Sequence, residues 1–268
     1  MMRTLGVTGT VLGGGAGLVY ALFIGLPVIA LLVKSAQHGG VLESLSSGFA
    51  VTALRLSLVT SAIAMVIVVL VGTPFAYLLA RNGSRALRVV DGLVELPIVL
   101  PPVAAGVAML MAFGRHGILG PYLTGLGINL PFTAAAVVCA QIFVAAPFYI
   151  RSAKIGFQSV AKEYEDISQT LGESPIATFW RLTLPLAAPS MMAGLALAWA
   201  RAISEFGATM MFAGNLTGKT QTLPLAIMTA LQTDLSEALA LAVLLMAGAV
   251  LVLVVLGFAT RRQWQGRI

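Results

Sequence analysis

Two opposite charges lie close together within a long apolar stretch of the sequence. Arg201 and Glu205 are four positions apart, so a helix would place both side chains on one face. A charge buried among apolar groups is costly unless it is paired. Two roles are therefore open: a structural pair whose members neutralise each other, or an anion pathway to which Arg201 lends positive potential. In the second role the pathway residues would be Arg201, Ser204, Glu205, Gly207 and Thr209.

The segment at residues 213–220, AGNLTGKT, has part of the pattern of a phosphate-binding loop. The pattern G-x-x-x-x-G-K-[ST] requires a glycine where Ala213 stands, so the match fails at its first position. A phosphate loop also follows a buried strand and opens a helix, whereas this segment follows a long apolar run. We therefore expect this chain to bind no nucleotide and no other cofactor.

The remaining reactive or metal-binding side chains are scattered. His38 and His116 have no carboxylate or cysteine at ligand spacing, so we predict no metal site. The single cysteine, Cys139, excludes an intramolecular disulfide and a C-x-x-C redox pair. We interpret Asp91 and Glu95 as boundary charges that favour the N-terminus of a helix. No catalytic constellation emerges, and we expect the chain not to be an enzyme.

The composition is that of a membrane protein. Of 268 residues, 59% are hydrophobic and 10% are charged, whereas a soluble domain has roughly 25% charged residues. The apolar content also excludes a disordered chain. Six apolar runs are long enough to cross a bilayer, where helices satisfy their own backbone. We predict one all-α transmembrane domain, residues 1–268, with spans at about 13–33, 54–80, 93–113, 132–150, 186–213 and 238–259.

The basic residues predict the orientation of these spans. Of the sixteen lysines and arginines, eleven fall on the side of the N-terminus, four on the other side, and Arg201 within a span. An excess of basic residues marks the cytoplasmic side, so we expect a multi-pass protein of the cytoplasmic membrane with both termini in the cytoplasm. The first run is longer than the core of a signal peptide, and we expect it to be retained. No basic stripe with interleaved aromatic residues indicates nucleic-acid binding.

Prolines and small residues predict bent and closely packed helices. Pro74, Pro147 and a cluster at positions 97, 101 and 102 fall within predicted spans, where each proline removes a backbone donor. The bends serve packing alone or line a pathway, and the sequence leaves both readings open. The fifth run is rich in glycine and alanine, which permits close helix contact and predicts a tightly packed central helix.

The longest predicted cytoplasmic loop, residues 151–185, begins with the signals of a short acidic helix. Ser159 can cap a helix that runs to about Leu171, with acidic side chains near its positive end. Gly172 fits a left-handed stop after that helix.

A second short helix can follow in the same loop. Ser174 and Pro175 fit the cap and the first position of a helix, which we expect to end before Pro185. Composition leaves two roles open for the pair of helices. The pair either rests on the bilayer surface or binds a cytoplasmic partner, because an acidic helix is poorly suited to anionic lipid.

The same loop resembles the signature loop of ABC-importer permeases, whose pattern is E-A-A, three residues, G, nine residues, I, one residue, L-P. Asp166-Ile167-Ser168 occupies the E-A-A positions, and Gly172, Leu182 and Leu184-Pro185 follow at the same spacing. In that family the loop inserts a coupling helix into a groove of the ATPase subunit. The resemblance implies a type I ABC-importer permease fold. It implies these coupling residues: Glu163, Glu165, Asp166, Ile167, Ser168, Gly172, Leu182, Leu184 and Pro185.

A second stretch, residues 201–227, is similar to molybdate-type permeases and less closely to sulfate/thiosulfate permeases. Glu205-Phe206-Gly207-Ala208, Gly214-Asn215 and the run GKTQTLP at 218–224 carry this similarity. It implies an ATP-driven importer of an oxyanion, with molybdate as the first assignment and tungstate or sulfate/thiosulfate as alternatives.

The resemblance also implies partners. Two copies of the chain would form the pathway at their interface. Two cytoplasmic ATPase subunits would hold ATP and Mg, and an external solute-binding protein would dock near residues 37–48, 115–130 and 215–234. An alternative of a different class is a standalone secondary transporter or channel. That class needs an ion or proton site within the membrane, for which the sequence offers Arg201 and Glu205.

Overall fold

The structure is a computed structural model that describes the backbone of residues 2–38 and 47–265 and the side chains of residues 14–38 and 47–254. The described chain is helical and contains no strand, which confirms the all-α prediction. A π-helical segment spans Phe179–Thr183. The helices are α1 (Met2–His38), α2 (Gly48–Arg81), α3 (Arg85–Val99), α4 (Pro102–Phe113), α5 (Gly120–Gly125), α6 (Ala134–Ser159), α7 (Lys162–Thr170), α8 (Pro175–Thr178), α9 (Leu184–Ile203), α10 (Gly207–Phe212), α11 (Leu223–Ala230) and α12 (Leu235–Gln265).

Five helical stretches in the described part of the chain are long and apolar enough to cross a membrane. They correspond to the first, second, fourth, fifth and sixth predicted spans, and each extends beyond the predicted run at one end or both. The stretches are Gly14–His38, Gly48–Arg81, Ala134–Ser159, Pro175–Ile203 and Leu235–Val254.

The third predicted span, at about residues 93–113, is not a single helix. α3 ends at Val99 and α4 begins at Pro102, with ψ of 132° at Leu100 and 134° at Pro101 between them. Two consecutive prolines offer no backbone N–H, and a residue that precedes proline disfavours the helical region. α4 is apolar but has 12 residues, fewer than the ~20 that a full span requires. The predicted six single spans are therefore five long helices and one broken one.

Two boundaries in the predicted coupling loop also differ from expectation. Ser159 does not cap the acidic helix: it is the last residue of α6, and its hydroxyl donates to the carbonyl oxygen of Gly156 over 2.7 Å. α7 begins after Ala161 without a side-chain cap. The second short helix does not end before Pro185, because α8, the π-helical segment and α9 form one continuous helical stretch. Pro185 lies where the hydrogen-bond register changes from the π-helical segment to α9.

The fifth predicted span, residues 186–213, is interrupted near its end. α9 stops at Ile203, a turn follows at residues 204–206, and the six residues of α10 resume the helix at Gly207. The chain therefore changes direction where Arg201 and Glu205 lie.

The central helix of the bundle is α6, which packs along both α2 and α9. Tyr149 and Phe157 of α6 are fully buried in the largest core cluster. Small residues allow the close approach of α6 to α9: a Cβ added at Gly194 would lie 2.3 Å from the Cβ of Ser152. This close contact agrees with the tight packing predicted for the fifth run, but the central helix is α6, from the fourth run.

Three smaller clusters complete the core, one of them formed by Ala196 and Val252 between α9 and α12. Phe212 of α10 is buried against α4 and α6, and Leu223 and Leu241 are buried where α2, α11 and α12 meet. Large apolar side chains cover much of the outer surface, among them Phe23 and Val99. An outer surface of this kind suits a hydrocarbon environment rather than water.

Candidate functional site

The predicted coupling loop forms two short helices around a glycine turn, at what we call the α7 end of the bundle. Gly172 has φ of +95°, in the left-handed region, directly after α7. The side chain of Ser174 accepts the backbone N–H of Ala177 and caps α8, whose first residue is Pro175. The predicted stop at Gly172 and the predicted cap at Ser174 are confirmed.

Apolar side chains of this loop point outward instead of into the bundle. Their exposed fractions are 56% to 80%, and we call them the coupling surface: Tyr164, Ile167, Leu171, Ile176 and Trp180. The exposed carboxylates of Glu163 and Asp166 lie on α7, as do Tyr164 and Ile167. An exposed apolar patch with polar neighbours is typical of a protein-binding site.

The predicted coupling residues differ in their surroundings. Glu163, Asp166, Ile167 and Gly172 are exposed, Ser168, Leu182, Leu184 and Pro185 are half-buried, and Glu165 is buried. The hydroxyls of Ser168 and Thr178 lie 3.0 Å apart and connect α7 to α8. Leu182 and Leu184 pack against the largest core cluster. Part of the set therefore faces outward, and part anchors the loop.

The buried carboxylate of Glu165 connects three elements. Nη2 of Arg81, at the end of α2, lies 2.6 Å from Oε1 of Glu165. The hydroxyl of Thr183, the last residue of the π-helical segment, donates to the same oxygen over 2.7 Å. Nη2 of Arg81 also donates to the carbonyl oxygen of Val160 over 3.1 Å. We call Arg81, Glu165 and Thr183 the Glu165 joint.

Sequence reasoning missed two members of this joint. Arg81 and Thr183 are 84 and 18 positions from Glu165 and lie on other helical elements, so spacing along a single helix does not predict these contacts. The available signals were a basic residue at the end of a predicted span and a hydroxyl next to the Leu184-Pro185 pair.

Two ion pairs connect α3 to α6 near the α7 end. Nζ of Lys154 lies 2.5 Å from Oδ2 of Asp91, and Nε of Arg151 lies 3.9 Å from Oε1 of Glu95. The interpretation of these acids as charges at a helix N-terminus is wrong, because α3 begins earlier, at Arg85. No side chain of α3 is fully buried, and its attachment combines these ion pairs with the packing of the half-buried Leu87 and Val94 against the largest core cluster.

Arg201 and Glu205 form the ion pair that their spacing predicts. Nη1 of Arg201 lies 2.6 Å from Oε2 of Glu205, and the Glu205 side chain has no exposed area, against 28% for Arg201. The other carboxylate oxygen of Glu205 accepts the backbone N–H of Ala208 over 2.7 Å. The carboxylate thus neutralises the arginine and also holds the first turn of α10.

The other candidate pathway residues differ in how exposed they are. Ser204 is exposed beside the partly exposed Arg201. Gly207 is buried, and a Cβ added there would lie 2.8 Å from the Cβ of Pro102. Thr209 is fully buried, and its hydroxyl has no hydrogen-bond partner within the described residues. In the isolated chain, Ser204 and Arg201 are therefore the members accessible from outside.

The glycine-rich segment at residues 213–220 closes on itself. Gly214 and Gly218 adopt φ of +74° and +77°. The hydroxyl of Thr220 donates to the carbonyl oxygen of Gly214 over 3.2 Å and accepts the backbone N–H of Leu216 over 3.0 Å. The segment follows the short helix α10 and not a strand, so it lacks the context of a phosphate loop.

The two histidines lie apart from each other. Nδ1 of His38 is 2.9 Å from the carbonyl oxygen of Lys34 in the last turn of α1. His116 lines an open cavity of about 400 Å³ together with Arg115 and Asn129. The described side chains contain no group of three His, Cys, Asp or Glu residues that could hold a metal ion.

A larger apolar cavity of about 540 Å³ lies between α2, α6 and the start of α9. Phe179 and Trp180 of the π-helical segment form part of its wall. Its polar groups are the hydroxyls of Thr73 and Tyr149, which lie 2.6 Å apart and are bound to each other. The cavity therefore suits apolar groups and not an anion.

Known proteins share both the sequence pattern and the fold. Residues 72–265 match the family described as "Binding-protein-dependent transport system inner membrane component". The Mycobacterium bovis protein named "Molybdenum transport system permease protein ModB" is 42% identical over 241 residues, 89% of each chain. The Synechococcus elongatus protein named "Sulfate transport system permease protein CysW" is 35% identical over 248 residues, 90% of this chain and 86% of the relative.

A solved structure has the same fold at low sequence identity. A chain of the bacterial alginate ABC transporter, in complex with its pentasaccharide-bound periplasmic protein, superposes with a TM-score of 0.74 and 15% identity, over 97% of this chain and 95% of that one. The predicted ABC-importer permease fold is thereby confirmed. With its apolar helices, the chain is a multi-pass inner-membrane protein, and it belongs to the family of inner membrane components of binding-protein-dependent transport systems.

Proposed function

We propose that this chain is the membrane-spanning permease subunit of an ATP-driven importer that carries molybdate across the cytoplasmic membrane. The observation that carries this proposal is the 42% identity, over 89% of the chain, to a protein named as a molybdenum transport permease. The whole chain, residues 1–268, would act as one transmembrane permease domain.

The coupling surface supports an ATPase as the cytoplasmic partner. The surface is apolar and exposed, and it extends over α7, α8 and the π-helical segment; the Glu165 joint fixes α7 and the end of that segment to the bundle. In the proposed assembly two copies of the chain form a homodimer, and each copy binds one ATPase subunit through this surface. ATP and Mg would be held by the ATPase, and this chain would bind no cofactor. Closure of the ATPases would move α7 and, through it, the long helices.

The proposed orientation places the α7 end and both termini in the cytoplasm, because most basic residues fall on that side. The opposite end would then receive an external solute-binding protein. Its docking residues would include 115–130 and 215–234, of which Ile118, Leu126 and Lys219 are exposed. The first proposed docking segment, residues 37–48, lies largely outside the described residues, at 39–46.

The pathway proposal concerns Arg201, Ser204, Glu205, Gly207 and Thr209. Arg201 is partly exposed and Ser204 is exposed, at the end of α9 where the helix is broken. A guanidinium there would lend positive potential to an oxyanion that passes at the homodimer interface. Glu205, Gly207 and Thr209 are buried, so their proposed contribution is to hold that arginine and the turn beside it.

Sulfate is the second candidate substrate, since the Synechococcus elongatus relative is named as a sulfate permease. Molybdate, tungstate and sulfate are all tetrahedral dianions, which one guanidinium binds in the same way. Selectivity would then reside largely in the solute-binding protein.

The experiment is reconstitution of the chain with its ATPase and its solute-binding protein in proteoliposomes. We expect molybdate uptake that requires ATP, and stronger competition by unlabelled tungstate than by sulfate. A calorimetric titration of the binding protein with the three anions supplies the matched control. Uptake without any nucleotide-binding partner would overturn the proposal and favour a secondary transporter or channel, and preferential uptake of sulfate would overturn the substrate assignment.

A further inference from the structure

The Glu165 joint is the main buried link between α7 and the bundle. Glu165 is the one residue of α7 that is buried, and the other side chains of this helix are exposed or half-buried. Few contacts therefore transmit a force from the outer surface of α7 to the bundle. The contact made by the Glu165 carboxylate is the most deeply buried of them.

Two strong bonds converge on a single oxygen of that carboxylate. Oε1 of Glu165 accepts from Nη2 of Arg81 at 2.6 Å and from the hydroxyl of Thr183 at 2.7 Å. Hydrogen bonds to an ionised group are shorter and stronger than neutral ones, and burial protects them from water. Because Arg81 ends α2 and Thr183 precedes α9, the carboxylate connects both long helices to the short one.

Thr183 lies at an interruption of the regular α-helix, which borders a cavity. It ends the π-helical segment Phe179–Thr183, and π-helical turns are rare interruptions that occur frequently at functional sites. Phe179 and Trp180 of this segment border the apolar cavity of about 540 Å³, so the segment has free space on one side. The π-helical segment therefore has room to adjust on its cavity side, whereas the start of α9 is packed against α6: a Cβ added at Gly156 would lie 2.9 Å from the Cβ of Ser190.

We infer that Glu165 and Thr183 are positioning residues that make α7, the end of α2 and the start of α9 move together, so that ATPase closure drives transport. This inference rests on the proposed function. It separates two tasks within the loop: the coupling surface binds the ATPase, and the Glu165 joint passes on the movement.

The test uses the complex of the full chain with its ATPase and solute-binding protein in proteoliposomes. Thr183→Val removes the hydroxyl with little change in volume, and Glu165→Gln removes the charge but keeps an acceptor oxygen. We expect Thr183→Val, and the fraction of Glu165→Gln that folds, to bind the ATPase at wild-type stoichiometry and to hydrolyse ATP within about twofold of the wild-type rate. The number of anions transported per ATP should fall about tenfold, which corresponds to about 1.4 kcal/mol of coupling free energy. Thr183→Ser, which keeps the hydroxyl, should restore the wild-type ratio.

The matched control is Ser61→Ala. The hydroxyl of Ser61 on α2 accepts from Nε1 of Trp199 on α9 over 3.0 Å, so this variant removes a hydroxyl between the same two long helices without touching α7. We expect its transport ratio to stay within twofold of wild type. An unchanged ratio in Thr183→Val, or an equal loss in Ser61→Ala, would overturn the inference. If Glu165→Gln does not assemble, Thr183→Val decides alone. A wild-type chain that binds no ATPase would overturn the proposed function itself.

Discussion

Two carboxylates are buried among the described side chains, those of Glu165 and Glu205, and an arginine binds each of them. The Arg201–Glu205 pair was predicted from its four-residue spacing, and it forms although Glu205 lies in the turn after α9. The Arg81–Glu165 pair could not be predicted, since 84 positions separate its members and their contact depends on how α2 and α7 pack. Local spacing thus reveals contacts between residues close in sequence and conceals those between distant helices.

The Arg201–Glu205 pair leads to a prediction that separates its two roles. Arg201→Gln leaves the fully buried Glu205 carboxylate without its cation, and breaking a buried pair in this way costs about 3–5 kcal/mol. We expect the single variant to yield less folded permease in size-exclusion chromatography. The double variant Arg201→Gln/Glu205→Gln buries no net charge, and the amide oxygen can still accept the N–H of Ala208, so the amount of folded protein should recover.

Anion uptake by the double variant then tests the pathway role. We expect at least a tenfold loss of uptake in proteoliposomes, about 1.4 kcal/mol, because the pathway has lost its positive charge. Full uptake by a normally assembled double variant would show that the pair serves folding alone.

Prolines show at the level of helices what sequence can and cannot predict. Pro74 and Pro147 lie inside α2 and α6, which remain continuous, whereas Pro101 and Pro102 separate α3 from α4. All four were predicted to bend or break helices, and the residue types alone do not distinguish the outcomes. A single proline removes one donor and neighbouring helices compensate for it, but two in succession remove adjacent donors.

The coupling loop also contains features that the sequence predicts and one that it does not. The turn at Gly172 and the cap at Ser174 depend on local backbone chemistry, and both were predicted correctly. The prediction that the second short helix ends before Pro185 was wrong, because the π-helical segment lets α8 continue into α9. The hydroxyl of Thr183, at the end of that segment, donates to Glu165, 18 positions away and on another helix, and local sequence patterns do not reveal such a contact.

The contact between α6 and α9 provides a stability prediction. A Cβ at Gly194 would lie 2.3 Å from the Cβ of Ser152, so Gly194→Ala forces the two helices apart, and overpacking of this kind costs about 1–3 kcal/mol. We expect a lower Tm in detergent. Gly92→Ala is the control, because Gly92 is also within a helix but has no atom within 4 Å of an added Cβ. Its Tm should stay constant or rise, since alanine favours a helix by up to ~1 kcal/mol; equal losses in both variants would contradict the proposed packing.

The coupling surface provides a binding prediction. Leu171 is 80% exposed at the end of α7, and Leu171→Asp places a charge where an apolar partner groove would close over it. We expect co-purification with the ATPase to fall at least tenfold while the amount of folded permease is unchanged. Leu126→Asp is a matched control, because Leu126 ends α5 in a similar backbone conformation and is 76% exposed. It should leave ATPase binding intact, and loss of binding in both variants would argue against a specific surface.

Charge is distributed unevenly over the whole molecule. Of the five ion pairs between described residues, four lie at the α7 end, and the fifth is Arg201–Glu205. The basic residues that predict orientation are therefore partly the same ones that attach α3 and α7 to the bundle, namely Arg81, Arg151 and Lys154. The topology signal in the sequence thus also has a structural role, which the count of basic residues does not reveal.

The orientation itself can be tested by labelling single cysteines. The chain has one native cysteine, Cys139, so Cys139→Ala gives a background without thiols. Lys219 and Arg85 are both exposed and lie at opposite ends of the proposed topology. We expect Lys219→Cys to react with a membrane-impermeant maleimide in intact cells, and Arg85→Cys to react after permeabilisation alone, because eleven of the sixteen basic residues lie on the side of Arg85. Labelling of Arg85→Cys from outside, with Lys219→Cys protected, would reverse the orientation and remove the α7 end from the compartment in which ATP is available.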